Sequence, residues 1–165
     1  MSSEDLSVTP DEFRRACGRF ATGVTVATVL DGEGTPHGLT VSSFTSVSLD
    51  PPLILICLGH AVTMIDAFRA ASHFGINVLS AEQRELSDRF ARKGWDRFDA
   101  LPWERGATGV PLLPGAIAHI ECATHDRVPS GDHDIFIGRM VQARVTDGEP
   151  LIYFASAYRE IQSGI

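Results

Sequence analysis

Seven strand-length runs, separated by Gly, Pro and Asp and without regular helix alternation between them, constrain this chain most. They are Val24 to Leu30, Gly38 to Leu49, Leu53 to Leu58, Phe74 to Leu79, Ala116 to Asp126, His133 to Val145 and Leu151 to Phe154. A doubly wound sheet needs a crossover helix between successive strands, and here few stretches have helical spacing. The pattern therefore predicts a mainly β fold: an antiparallel barrel with a few peripheral helices. A small barrel is filled by its own side chains. A cofactor would then bind on the outside, where two subunits meet.

Three helices are expected around it. Thr9-Pro10-Asp11-Glu12 joins an N-cap, a Pro at the first helical position and a capping-box Glu. Phe13, Cys17 and Phe20 follow at helical spacing, with Gly23 as the stop. Ala61 to Ala71 places Ala61, Met64, Ile65 and Phe68 on one side. Ser80-Ala81-Glu82-Gln83 is a second capping box, leading into a helix with Leu86 and Phe90 that Gly94 ends. Trp95 to Pro114 holds both Trp residues and three of the nine Pro, and is expected to be irregular.

The 165 residues suit one domain, placed at 10–165, after a polar, acidic and poorly ordered segment at 1–9 that does not resemble a signal peptide. Leu53 to Leu58, the longest apolar run, is too short to span a bilayer, so no membrane role is expected. Cys17, Cys57 and Cys122 are far apart and odd in number, which indicates a reducing, cytoplasmic compartment. A formal net charge of −7 with scattered basic residues argues against nucleic acid. The six His are dispersed, and no metal site is expected. No GxSxG or HExxH motif is present.

Three segments carry candidate chemistry. Thr40, Ser42, Ser46 and Ser48 would share one face of the second strand, and the hydroxyls and N–H groups of Thr40-Val41-Ser42-Ser43-Phe44 can bond the polar edge of a planar heterocycle. Hydroxyls are also ordinary on an exposed strand, and composition alone favours that reading. Gly59-His60-Ala61-Val62-Thr63 opens a helix after a buried strand, where free N–H groups suit a phosphate or simply a cap. In Gly131-Asp132-His133, Asp132 can orient His133 toward a nicotinamide carboxamide, or the turn is merely solvated. Gly32 to Gly38 lacks dinucleotide-fingerprint spacing and reads as a hairpin loop.

Taken in order, the segments resemble the short-chain flavin reductase family, whose fold is the FMN-binding split barrel. It includes the reductase components of two-component flavin-dependent monooxygenases. The matching stretches are Phe20 to Val26, Gly38 to Phe44, Ser46 to Pro52, Phe74 to Leu79, Gly109 to Leu113, Gly131 to Gly138 and Pro150 to Phe154 with Tyr158. The resemblance covers Glu12 to Tyr158.

It implies a homodimer with FMN or FAD near the subunit interface and NADH or NADPH as the reductant. Thr40, Val41, Ser42, Ser43 and Ser46 would contact the isoalloxazine or ribityl chain. Cys57, Leu58, Gly59 and Thr63 would approach the ribityl and phosphate groups, with Asn77, Phe90 and Ala91 nearby. Within the Gly131-Asp132-His133 turn, His133 would hold the nicotinamide as an orienting residue, and Tyr158 would line the same cleft. Gly59 and Val62 stand where many relatives carry polar or basic residues, which implies fewer phosphate contacts and a flavin that binds and leaves. Ala157 stands where some relatives carry a basic residue before the final Tyr, which implies a different adenine end of the nicotinamide site. The implied partner is an oxygenase fed by diffusible reduced flavin. A non-catalytic flavin-binding module is the alternative, and a split-barrel oxidase of a pyridoxine phosphate is disfavoured by the absence of a basic phosphate cluster.

Overall fold

The computed structural model describes residues 7–94 and 97–161, so most of the segment expected to be poorly ordered, and Trp95, lie outside the described residues. Helix α1 (Pro10–Cys17) begins at the expected cap: the Thr9 hydroxyl accepts the Glu12 N–H, and the Glu12 carboxylate accepts the Thr9 N–H at 2.9 Å. It ends at Cys17, six residues before Gly23, because Thr22 and Gly23 form a short strand β1. Then come β2 (Thr25–Leu30), β3 (Pro36–Val41), β4 (Thr45–Leu49), β5 (Pro52–Gly59), α2 (Ile65–Ala70) and β6 (His73–Val78). A 3-10 turn, Ala81–Gln83, carries the second capping box and leads into α3 (Arg84–Ala91). The remaining strands are β7 (Glu104–Arg105), β8 (Pro111–Leu112), β9 (Ala118–Ser130), β10 (His133–Val145), β11 (Ile152–Phe154) and β12 (Ala157–Arg159).

Seven strands form one antiparallel sheet in the order β3-β2-β6-β9-β10-β5-β4. The sheet curls until β3 also contacts β5, so the architecture is the mainly antiparallel barrel with peripheral helices that the pattern predicted. One expected strand, Gly38 to Leu49, is in fact two strands at opposite ends of the sheet order. The break has a local cause. Ser43 Oγ accepts the Cys57 N–H at 2.9 Å and lies 3.2 Å from the Cys57 carbonyl, so a side chain replaces the ladder just where the chain crosses from β3 to β4. The single hydroxyl face therefore does not exist: Thr40 stands on one strand and Ser46 and Ser48 on another.

Other boundaries moved for similar reasons. Helix α3 stops at Ala91 rather than at Gly94, because Arg92 is extended and its carbonyl accepts from the Arg97 guanidinium. β9 runs on to Ser130, since β10 pairs with it up to His133. β12 follows a turn at Ala155 and Ser156, both with positive φ (48° and 62°). Gly and Asn normally announce such a turn, and neither is present.

The barrel interior is packed with Ile54, Ile56, Phe68, Phe74, Ile76 and Phe136, and the Phe68 and Phe136 rings meet edge to face at 6.2 Å. Gly138 is required there, since a Cβ would lie 2.5 Å from the Phe74 ring and 2.7 Å from Cys122. A second cluster, including Val26, Leu79, Phe90 and Leu113, fills the space between the sheet and α3. The barrel thus has no internal room, and a ligand must sit outside it.

Candidate functional site

Outside the barrel, a cavity of about 870 Å³ lies between β3, the loop after β5, α3 and the β11–β12 hairpin. β3 supplies Leu39 and Thr40, with Ser42 just beyond it. The end of β5 supplies Gly59 and the loop after it Ala61 to Thr63, α3 supplies Ser87, Phe90 and Ala91, and the hairpin supplies Tyr153 and Tyr158. Helix α3 is fixed against these walls by polar ties. Its preceding turn is held by the Gln83 amide, which donates to the Pro114 carbonyl at 2.9 Å. The Thr40 hydroxyl donates to the Ser87 carbonyl at 2.6 Å, and the Tyr158 hydroxyl lies 2.8 Å from both Ser87 Oγ and Asp88 Oδ1. Burial holds the Tyr158 phenol above its ordinary pKa, so it stays protonated. The Phe90 ring approaches β3 closely because residue 38 is glycine: a Cβ there would lie 2.9 Å from the ring.

His133 stands beside this cavity. It opens β10, opposite Gly59 in the register, and its Nε2 lies 3.5 Å from where a Gly59 Cβ would be. Gly131 provides the left-handed turn before it, with φ 62°. His133 Nδ1 lies 2.6 Å from Asp132 Oδ1, and that hydrogen bond holds the Asp132 carboxyl below its usual range. With Nδ1–H donated to Asp132, Nε2 of the neutral ring is left as an acceptor. The His60 N–H donates to the Asp132 carbonyl at 2.9 Å and ties the turn to the loop after β5.

Of the residues singled out from the sequence, the fold thus brings Thr40, Ser42, Gly59, Thr63, Phe90, Ala91 and Tyr158 onto one cavity, with the Gly131–His133 turn adjacent. Others lie elsewhere. Val41 and Leu58 are buried in the barrel core. Asn77 is fully buried, its amide nitrogen donating to the Val26 carbonyl at 3.1 Å and its oxygen accepting the Leu113 N–H at 2.8 Å. Ser43 bonds the backbone of Cys57, and Ser46 pairs with Ile54.

Sequence reading missed Arg84, Ser87, Asp88, Lys93 and Tyr153, which also line the cavity. Arg84, Ser87, Asp88 and Ala91 stand at i, i+3, i+4 and i+7 of α3, a helical stripe that was available as a signal. The Arg84 guanidinium lies 5.0 Å over the Tyr158 ring. Among the described residues no cluster of His, Cys, Asp and Glu could hold a metal ion. Chemically, the cavity offers an apolar wall (Leu39 and Ala91, backed by the buried Phe90) for a flat ring and hydroxyls for its polar edge, with an imidazole nearby to orient a second group.

Residues 17–162 match the family model described as a flavin reductase like domain. The chain is 48% identical over 149 residues to an FMN reductase (NADH) of Agrobacterium fabrum, covering 88% of this chain and 83% of that protein. It is 41% identical over 158 residues to the reductase component of the flavin-dependent trigonelline monooxygenase of Acinetobacter baylyi. That match covers 96% of this chain and 51% of the relative, so the chain spans about half of that relative's length. Among solved structures, an NADH:FAD oxidoreductase of Streptomyces globisporus, in complex with NAD and FAD fragments, superposes with a TM-score of 0.88 at 40% identity. It covers 94% of this chain and 96% of that one.

Proposed function

Since the chain belongs to the flavin reductase-like family, we propose that it is an NAD(P)H-dependent flavin reductase that supplies reduced FMN or FAD to a separate oxygenase. The observation that carries this reading is the single cavity formed by Thr40, Ser42, Gly59, Phe90 and Ala91, with His133 set over Gly59. Its volume of about 870 Å³ falls within the ordinary range for cofactor sites. Its apolar wall suits a tricyclic ring. Bound flavin supplies the redox chemistry by accepting hydride at N5 from nicotinamide C4, so no protein nucleophile is required.

The chain's own residues bind, orient and exclude water. Phe90, Ala91 and Leu39 support the ring, and the Ser42 and Thr63 hydroxyls face its polar periphery. Thr40 and Tyr158 act mainly by fixing α3. His133 Nε2 would accept the carboxamide N–H of a bound nicotinamide and orient it, a contribution worth orders of magnitude in rate. A flavin-storage module would have no need of that imidazole.

The relative that serves as the reductase component of a monooxygenase supports an oxygenase partner. A homodimer is supported by the open edge of β4, where Val47 and Leu49 are exposed, and by exposed Phe13 and Phe20. The unpaired cysteines fit the cytoplasm, and no described helix is long and apolar enough to cross a membrane. One domain over 10–165 completes the reading.

The test is oxidation of NADH or NADPH by purified protein with FMN, FAD or riboflavin. We expect turnover with at least one pairing. His133→Ala should raise the KM for the nicotinamide and lower kcat while flavin affinity changes little. Flavin binding without turnover in any pairing would move the protein to the storage reading.

A further inference from the structure

Asp134 follows His133 on β10, is 1% exposed, and carries its charge among three donors. His60 Nε2 lies 3.0 Å from Oδ1, while Arg69 Nε at 2.9 Å and Arg127 Nη1 at 3.1 Å reach Oδ2. These donors come from the loop after β5, from α2 and from β9. Desolvation works against the charge, but the hydrogen bonds outweigh it and hold the carboxyl down at about 2. An ionised Asp134 only accepts, so His60 must present Nε2–H to it.

Successive residues of a strand point to opposite faces, so Asp134 is turned away from the face on which His133 covers Gly59. The connection runs through His60. Its imidazole is held by Asp134, and its main-chain N–H donates to the carbonyl of Asp132, the residue that orients His133. Gly59, under the His133 ring, directly precedes His60. A buried ion cluster stabilises little beyond what an apolar replacement would, so its consequence lies in the geometry it imposes.

We propose that Asp134 and His60 are positioning residues for hydride transfer: together they clamp the 59–63 loop to the 131–133 turn and hold His133 in place at the edge of the cavity. This rests on the flavin reductase reading. The 59–63 loop also lines the cavity, but β3 and α3 hold the flavin independently of the clamp, so its loss should act far more on the nicotinamide step than on flavin binding. A displacement of about 1 Å at a positioning group costs up to roughly 100-fold in rate.

The experiment compares His60→Ala with His60→Gln, whose amide can still donate to Asp134. His60 is 39% exposed, so both variants should fold. For His60→Ala, the KM for NADH should rise about tenfold with a fall in kcat, flavin Kd should stay within about twofold, and the His133 imidazole NMR signals should shift. His60→Gln should return to within about threefold of wild type on every measure. Wild-type behaviour of His60→Ala would overturn the proposal, as would parallel loss of NADH and flavin binding in both variants. The imidazole signals are read without turnover. An inactive wild type would therefore sink the reductase reading, whereas unmoved His133 signals in His60→Ala would sink the clamp.

Discussion

Asp134 keeps a charge almost out of reach of water because His60, Arg69 and Arg127 surround it. Its folded pKa of about 2 lies below the 3.8 of an unperturbed aspartate, so the ionised form favours the folded state. That contribution is complete above about pH 4 and is lost as the pH falls toward 2. Urea midpoints measured from pH 5 down to 2 should fall steeply for wild type. Asp134→Asn should be less stable at neutral pH and should show a shallower fall over the acid window. Parallel curves would remove Asp134 as the acid-sensitive group. At this scale the sequence was least legible. Asn77 looked like a cofactor contact, but its partners Val26 and Leu113 are 51 and 36 residues away, and only the fold places them beside it. Glu121 likewise revealed nothing in sequence, yet its buried carboxylate accepts the Ala107 and Thr108 N–H groups and shapes their turn.

Elements were read better than single contacts, because periodicity and capping are local. The Thr9 and Ser80 capping boxes and the bounds of β10 are where the sequence placed them. The 38–49 stretch misled because strand-forming residues run from Leu39 to Leu49 without Gly or Pro; the alternation does fail at Ser43, Phe44 and Thr45, where the bond between Ser43 and Cys57 ends the first strand. β12 escaped because Ala155 and Ser156 take a turn conformation their residue types rarely announce. β4 makes its own prediction. It is an outer strand, with Leu49 92% exposed and Val47 half-exposed, a surface suited to a second copy of the chain. Sedimentation velocity should show a species of twice the chain mass, and Leu49→Lys should shift it toward monomer at micromolar concentration. A monomeric wild type would contradict a dimer built on this edge.

For the molecule as a whole, a barrel filled by Phe74, Phe136 and Ile56 leaves only its outer surface for a cofactor. The order of segments was legible because each must form its own strand or turn, and the family match extends over residues 17–162. The α3 wall of the cavity was legible only at Phe90 and Ala91, since Ser87 and Asp88 gain meaning through Thr40 and Tyr158. Everything proposed for this surface comes down to one event, the passage of hydride from nicotinamide to flavin. The direct measurement is an anaerobic single turnover, in which protein and oxidised flavin are mixed with NADH or with NADH deuterated at C4. A flavin reductase bleaches the flavin in step with NADH loss, and deuterium slows the bleaching. Flavin that keeps its oxidised spectrum while NADH remains unconsumed would contradict it.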